Sequence, residues 1–348
     1  MAKNMIVIMS DEHQVSMMGC AGHPFIQTPH LDKLAARGMR YTNAYTPSPI
    51  CVPARAAFAS GQYVHRTGHW DNAIAYHGTP RGWGHQLQDA GVPVTSIGKL
   101  HYRSPDDDAG FDEMIIPMMI KDGVGMIWAS IRHEDERLSF PGRMLGPEIG
   151  YGESSYTTYD RAVTAKSIEW IKNNANAKKG WCLYIGLVAP HFPLVCPQEF
   201  YDLYSNISLP PAKLHPNDGY ERHPWLEAQN KMGDNENQFV DTEERDRAFR
   251  AYYGLVSWVD HNVGQIISAI DAAGLTDDTT VIYTSDHGDN VGARGMWGKS
   301  NMYEEAAAIP MIAAGPDIPH GECATPVSLL DLAASIPANF GLPVSDDV

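Results

Sequence analysis

A cysteine and an arginine, Cys51 and Arg55, flank a proline, Pro53, at the start of a stretch of small residues. Proline is favoured in the first turn of a helix, so a helix over 53–60 would place residue 51 at its positive N-terminal end. That position favours an anionic nucleophile or a bound anion. The spacing also allows the plainer alternative, a structural thiol with Arg55 on a solvated face.

Two pairs of polar residues offer ligands for a metal ion. Asp11 and Glu12 directly follow one apolar run, and Asp286 and His287 directly follow another. Carboxylates combined with an imidazole suit a hard or borderline divalent cation such as Ca²⁺, Mg²⁺ or Mn²⁺. Either pair alone could instead cap a helix or a turn. Together, and with Cys51 as a third element, they predict a metal site.

Short apolar runs alternate with helical patterns along the chain, which indicates a mainly parallel sheet covered by helices. Strands are predicted at 4–9, 92–97, 181–188, 279–284 and 309–313. Helices are predicted at 29–37, 53–60, 83–90, 156–174, 241–273 and 326–338. The fold class predicted from these elements is α/β.

Further polar residues follow the strands between the two acidic pairs. Lys99 and His101 come after the second predicted strand, and His191 comes after the third. In open α/β sheets the ligand crevice lies beyond the carboxyl ends of the strands. We therefore expect these side chains and the two acidic pairs to meet at one edge of the sheet.

Two segments, 103–155 and 203–240, show weak periodicity and many Gly, Pro and Asp residues. Long connections of this kind are often functional, so we interpret both as insertions or long loops that shape a substrate pocket.

The chain has 348 residues and a formal net charge of −16, which argues against nucleic acid or an anionic membrane as its main partner. An anionic substrate would therefore need concentrated positive charge in the site.

No apolar run is long enough for a transmembrane helix, and the N-terminal run is too short for a signal peptide, so a cytoplasmic location is predicted. Five scattered cysteines without a CxxC pair indicate neither a disulfide framework nor a zinc site.

Residues 51–55 resemble the Cys-x-Pro-x-Arg signature of type I sulfatases, in which the cysteine is oxidised to formylglycine. Type I sulfatases belong to the alkaline phosphatase superfamily. Further segments resemble motifs of that family in the same order, at 28–35, 98–101, 189–193, 285–288 and 298–299. His287 stands where many arylsulfatases have Asn. The Asp-His pair, like the segment 67–72, is similar to the choline sulfatase and phosphonate monoester hydrolase branch.

The resemblance implies an alkaline-phosphatase-like fold, a mainly parallel sheet sandwiched by helices, with one sulfatase catalytic domain over 1–348. Family members usually continue into a smaller C-terminal subdomain. Because this chain ends at Val348, we expect that subdomain to be truncated or missing.

The resemblance also implies one divalent metal, most often Ca²⁺, with Mn²⁺ and Mg²⁺ as the other options. Its ligands would be Asp11, Asp286, His287 and the modified residue at position 51. Glu12 stands where many members have a second Asp, so its role as a ligand is left open.

In the implied mechanism, the hydrate of formylglycine at position 51 carries two hydroxyl groups. One attacks sulfur, while Lys99, Lys299 and the metal offset the charge on the sulfuryl oxygens. The other then loses its proton and expels sulfate, which regenerates the aldehyde. Arg55 is expected to orient the diol, and Asn72 to hydrogen-bond to the diol or to the anion.

His191 and His101 are both candidates for the general acid that protonates the leaving oxygen. The predicted reaction is hydrolysis of a small anionic sulfate ester (alkyl, aryl or choline-like), after a formylglycine-generating maturation enzyme has acted. Two alternatives remain: a phosphonate monoester or phosphodiester hydrolase with the same nucleophile, and a catalytically silent anion-binding protein. A homo-oligomer is left open.

Overall fold

The computed structural model describes residues 4–125 and 143–344. Its strands are β1 (Asn4–Asp11), β2 (Met39–Tyr41), β3 (Ala44–Tyr45), β4 (Val94–Lys99), β5 (Glu113–Met118), β6 (Gly150–Tyr151), β7 (Cys182–Pro190), β8 (Val195–Cys196), β9 (Thr279–Ser285), β10 (Met311–Ala314), β11 (Gly321–Cys323) and β12 (Val327–Ser328). Its helices are α1 (Pro29–Ala36), α2 (Cys51–Ser60), α3 (Val64–Thr67), α4 (Trp83–Asp89), α5 (Ser155–Asn174), α6 (Gln198–Tyr201), α7 (Pro224–Gly233), α8 (Thr242–Ala272), α9 (Glu304–Ala307) and α10 (Leu329–Asn339).

An eight-stranded sheet in the order β11-β2-β10-β9-β1-β7-β4-β5 forms the centre of the molecule. The strands β9, β1, β7, β4 and β5 pair in parallel, whereas β10 runs antiparallel to both of its neighbours. The predicted α/β class and the mainly parallel sheet are confirmed.

Both faces of the sheet are covered, because alternate residues of β1 point into two separate apolar cores. Ile6 and Ile8 belong to the core beneath α1, α5 and α8. Met5 and Val7 belong to the core beneath α2, α4 and α10. Burial on both faces explains why this strand reads as a continuous apolar run rather than an alternating one.

All the strands and helices predicted from the sequence are present, with ends that differ by a few residues. Within 103–155 the structure also contains β5, an edge strand of the main sheet that the sequence pattern did not predict. Its residues are only partly buried and include a proline, so its apolar pattern is weak. Residues 126–142 of that segment lie outside the described part of the chain. Among the described helices, none combines the length and apolar character needed to cross a bilayer.

Two glycines allow β4 and β7 to approach closely just before the last residue of β4. Gly98, with a φ of +97°, lies opposite Gly186 where the pairing of β4 with β5 shifts register. A Cβ on Gly98 would lie 2.2 Å from the carbonyl oxygen of Gly186, and one on Gly186 would lie 2.1 Å from that of Lys99. The close approach positions Lys99 at the carboxyl end of the strand.

Replacing Gly98 with alanine is expected to lower the free energy of unfolding by at least about 2 kcal/mol, because a positive φ and a backbone clash act together. Urea denaturation followed by circular dichroism would measure the change. Gly91→Ala is the matched control, since Gly91 also has a positive φ but no atom within 4 Å of the added Cβ. Equal destabilisation of the two variants would contradict a role for the close approach.

Candidate active site

The chemically active side chains lie at the carboxyl ends of four neighbouring strands, β9, β1, β7 and β4. Asp11 and Lys99 are the last residues of β1 and β4. His191 directly follows β7, and Asp286 directly follows β9. The prediction that these residues meet at one edge of the sheet is confirmed.

Cys51 is the first residue of α2 and is almost completely buried. Its Sγ lies 3.2 Å from His287 Nε2 and 3.6 Å from Asp11 Oδ1. Burial, together with the neighbouring Asp11 carboxylate, raises the pKa of the Cys51 thiol to about 12. The charges of Lys299 and Lys99 oppose this shift but do not cancel it, so these surroundings favour the thiol over the thiolate.

Four donor atoms form a compact cluster that could hold a metal ion. One ligand atom each from Asp11, Cys51, Asp286 and His287 lies within 4.8 Å of the others, and all four residues are buried. Nδ1 of His287 lies 3.0 Å from the carbonyl oxygen of Gly288, which needs a proton on Nδ1. With Nδ1 engaged in this way, Nε2 is the ring nitrogen that faces the cluster, which is the arrangement of a metal-binding histidine.

Arg55 holds the two aspartates of this cluster in place. Its Nε donates to Asp286 Oδ2 at 2.8 Å, and its Nη2 donates to Asp11 Oδ2 at 3.1 Å. Its Nη1 donates to the Lys99 carbonyl oxygen and to the Tyr184 hydroxyl. The other oxygens, Oδ1 of each aspartate, face His287 Nε2, and Asp286 Oδ1 also accepts from the backbone N–H groups of Glu12 and His287. Arg55 thus contacts the carboxylates. A direct effect of Arg55 on a hydrate at position 51 stays a prediction.

Glu12 joins this cluster to a second group of residues. Its Oε2 accepts from Lys299 Nζ at 2.8 Å and lies 3.4 Å from His191 Nε2. Its Oε1 is buried and has no hydrogen-bond partner. With Asp11 and His191 it forms a second set of possible ligand atoms. The unpartnered oxygen fits a cation-binding role, and that role stays a prediction.

Two lysines, Lys99 buried and Lys299 partly buried, supply the local positive charge expected for an anion site. Lys99 Nζ lies 2.6 Å from Asp11 Oδ2, and Lys299 Nζ also lies 4.8 Å from the centre of the Phe192 ring. Burial alone would lower the pKa of Lys299, but the nearby carboxylates of Glu12 and Asp11 oppose burial, and the net effect is a raised pKa. Both lysines are therefore cationic at neutral pH in an otherwise acidic protein.

The two histidines predicted as general acids are partly buried near these lysines. Burial and the charge of Lys99 hold the pKa of His101 well below its usual range. Burial and the charge of Lys299 do the same for the pKa of His191. A bound anion would oppose these shifts, because negative charge favours the protonated imidazole.

A cavity of about 280 Å³ opens onto this centre. Its lining includes Cys51, Asn72, His101, His191 and Lys299. Asn72 Oδ1 accepts a hydrogen bond from the backbone N–H of Val52, so this side chain also holds the first turn of α2. A contact of Asn72 with the diol or the anion stays a prediction. A larger groove of about 730 Å³ lies at the opposite, amino ends of β4 and β5, away from the cluster.

A model of the sulfatase family matches residues 3–342. The chain belongs to the sulfatase family. The relatives that it matches are named as sulfatases, which are sulfuric ester hydrolases. The chain is 32% identical to a choline-sulfatase of Rhizobium meliloti over 99% of its own length and 68% of the relative's. It is 29% identical to arylsulfatase K of Danio rerio over 98% of its own length and 65% of the relative's.

Solved structures show the same fold for this sulfatase chain. A phosphonate monoester hydrolase of Agrobacterium radiobacter superimposes with a TM-score of 0.78 at 19% identity, over 98% of this chain and 74% of that one. A protein in complex with D-glucosamine-2-N,6-O-disulfate superimposes with a TM-score of 0.76 at 23% identity, over 100% of this chain and 78% of that one. The alkaline-phosphatase-like architecture is thereby confirmed.

Several residues around the sulfatase cavity carried no signal in the sequence. Tyr184 lies inside the apolar run of β7, and Trp297 lies in a loop, so neither pattern indicated a role. The α7 region, by contrast, falls within 203–240, which was predicted to shape a pocket. Gln229, Asn230 and 233–235 line the cavity, and their role in a substrate pocket stays a prediction.

Proposed function

We propose that this chain hydrolyses alkyl, aryl or choline-like sulfate esters to an alcohol and inorganic sulfate, with formylglycine formed from Cys51. The observation that carries the proposal is the position of Cys51. It begins α2, opens onto the cavity, and faces Asp11, Asp286 and His287.

The state of Cys51 supports a modified residue rather than a thiolate nucleophile. A buried thiol with a pKa of about 12 is almost entirely protonated at neutral pH, and only the thiolate is strongly nucleophilic. The hydrate of formylglycine supplies two hydroxyl groups, one to attack sulfur and one whose deprotonation releases sulfate. A maturation enzyme must supply an oxidant, since the thiol-bearing carbon becomes an aldehyde carbon.

The donor set supports a hard divalent cation, and Ca²⁺ fits it well. Asp11 and Asp286 offer carboxylate oxygens, Glu12 offers an unpartnered one, and His287 offers an imidazole nitrogen. Oxygen-rich sets of this kind are preferred by Ca²⁺ and also accept Mn²⁺ or Mg²⁺. A cation bound here would act as a Lewis acid beside position 51.

The remaining side chains have separate roles in this proposal. Lys99 and Lys299 bind the sulfuryl oxygens and offset the charge that develops on them, which a buried site makes more effective. Arg55 positions the two aspartates through its ion pairs. His191 and His101 both line the cavity, where either can deliver a proton to the leaving oxygen.

Hydrolysis of phosphonate monoesters or phosphodiesters is the second candidate, because the Asp286-His287 pair is similar to that branch of the family. We expect kcat/KM for 4-nitrophenyl sulfate to exceed that for 4-nitrophenyl phenylphosphonate by about tenfold or more, since a site tuned to one anion discriminates against the other. Steady-state rates of protein matured by the formylglycine-generating enzyme would measure the ratio. A strong phosphonate preference would overturn the first choice, and no hydrolysis of either ester would favour the silent protein.

A further inference from the structure

One wall of the catalytic cavity consists of α7 and the turn that follows it. Gln229, Asn230, Gly233, Asp234 and Asn235 all line the cavity that also contains Cys51. This wall lies within 203–240, outside the segments that resemble the family's motifs. Its chemistry therefore bears on the alcohol part of the ester rather than on the sulfate group.

Two amide oxygens of this wall are buried without a hydrogen-bond partner. Gln229 is 5% exposed, and its Nε2 donates to the backbone oxygens of Lys299 and Ser300. Those two bonds set the orientation of the amide, and Oε1 is left unpaired. Asn235 is 7% exposed, and its Oδ1 is unpaired as well. A third lining residue, Ser300, has an unpaired buried hydroxyl.

Unpaired buried acceptors are costly, at about 1–3 kcal/mol each, and native proteins contain few of them. With Nδ1 of His101, which also has no partner, four such atoms belong to residues that line one cavity. Donors on a ligand in the cavity would satisfy the two amide oxygens.

The charge of the wall also limits the charge that a ligand can carry. Asp234 is partly buried, and its oxygens accept from the neutral amides of Asn230 and Asn237. Among the described residues that line the cavity, Lys299 is the only lysine or arginine, and Glu12 already pairs with it. A second anionic group on the ligand would face Asp234 and the unpaired amide oxygens without a compensating cation.

The rest of the lining limits size and provides apolar contact. Met144, Phe192, Met296 and Trp297 contribute apolar surface. The Nε1–H of Trp297 donates to Glu236 Oε2 at 2.7 Å, which holds the ring in place. A cavity of about 280 Å³ is at the small end of ligand sites, which typically measure about 300–1,000 Å³.

From these features we infer that the substrate is a compact sulfate ester whose alcohol part carries N–H or O–H donors and no second anionic group. The donors would pair with the unpaired oxygens of Gln229 and Asn235, and Asp234 favours a donor with positive charge. This inference rests on the proposed sulfatase function. It distinguishes a protonated amine or hydroxyl from a quaternary ammonium group, which has no hydrogen to donate.

Steady-state kinetics with small sulfate esters tests the inference on the matured protein. We expect kcat/KM for 2-aminoethyl and 2-hydroxyethyl sulfate to exceed that for n-propyl sulfate by about tenfold or more. Choline sulfate keeps the positive charge but lacks the donors, so its value should fall below that of 2-aminoethyl sulfate. A 2-carboxyethyl ester should be the poorest substrate. Equal or better rates for the choline, propyl or carboxyethyl ester would overturn the inference.

The esters differ in intrinsic reactivity, and comparing their rate ratio between a wall variant and the unmodified sequence cancels that difference. Asn235→Leu and Gln229→Met each remove an acceptor at similar side-chain size. We expect either variant to lower the ratio of 2-aminoethyl to n-propyl sulfate by about fivefold, mainly through KM, as the loss of one hydrogen bond does. The melting temperature of each variant detects a folding defect. If one variant is misfolded, the other still tests the inference.

Asn173→Leu is the matched control, because Asn173 lies on α5 and lines the groove at the opposite end of the sheet. Its ratio should equal that of the unmodified sequence. An unchanged ratio in both wall variants would overturn the inference. Hydrolysis of 4-nitrophenyl sulfate distinguishes failure of the proposed function from failure of this inference. If the matured protein does not hydrolyse this ester, the proposed function is wrong. If it does, but shows no preference for esters with donors, only this inference is wrong.

Discussion

Replacing Cys51 with alanine is expected to reduce kcat/KM for 4-nitrophenyl sulfate by at least about 10⁴-fold, because removing a covalent nucleophile costs several orders of magnitude in comparable enzymes. Alanine cannot become an aldehyde, so neither the attacking hydroxyl nor the one that releases sulfate can form. The fold should be retained, since α2 already consists largely of small residues. Steady-state kinetics and a melting curve would measure both effects.

Cys323→Ala is the matched control, because this half-buried thiol lies in the edge strand β11. Mass spectrometry of the peptide 41–55 completes the test: after expression with the maturation enzyme, residue 51 should have lost its sulfur and reacted with a carbonyl-specific hydrazide. Full activity in Cys51→Ala would rule out residue 51 as the nucleophile. An unmodified thiol under these conditions would favour the silent anion-binding protein.

Replacing Asp286 with asparagine is expected to abolish metal binding and to lower kcat/KM by at least about 10³-fold, since a charged ligand and its effect on the neighbouring groups are lost together. Asp286 Oδ1 belongs to the cluster, and its Oδ2 accepts from Arg55. Metal analysis by inductively coupled plasma mass spectrometry should find about one Ca²⁺ per chain before the change and close to none after it.

Loss of half of a buried ion pair is also destabilising, by about 3–5 kcal/mol, so the variant has to be shown to be folded. Asp112→Asn is a suitable control, because Asp112 accepts from the backbone N–H of Val94 at the opposite end of β4. Chelation of the unmodified protein provides a second route to the same question. Activity that returns with Ca²⁺ more fully than with Mn²⁺ or Mg²⁺ would support the proposed metal, and full activity after chelation would contradict it.

Much of the candidate site could be predicted because it rests on local signals. Buried strands read as apolar runs, and the polar residues that follow them, such as Asp11 and Asp286, stand out by contrast. Parallel pairing then brings their carboxyl ends to one edge of the sheet. Cys51 was recognisable for a similar reason, since Pro53 marks the start of its helix.

Other features depended on contacts between distant parts of the chain. The edge strand β5 pairs with β4 although its own pattern is weak, because hydrogen bonds to a neighbouring strand can stabilise a poorly patterned segment. The wall at Gln229 and Asn235 could be placed in a pocket-forming segment, but not assigned to particular side chains.

The amino-acid sequence by itself determined the order of the elements, the residues at the strand ends and the acidic character of the chain, because these follow from composition and local periodicity. Only the tertiary structure decided which atoms of those residues contact each other. It placed Arg55 between Asp11 and Asp286, so that each aspartate turns one oxygen to Arg55 and the other to His287. It also buried Cys51 beside the Asp11 carboxylate, and together these raise the pKa of the thiol. Distances between residues far apart in sequence determine such outcomes, and no local pattern encodes them.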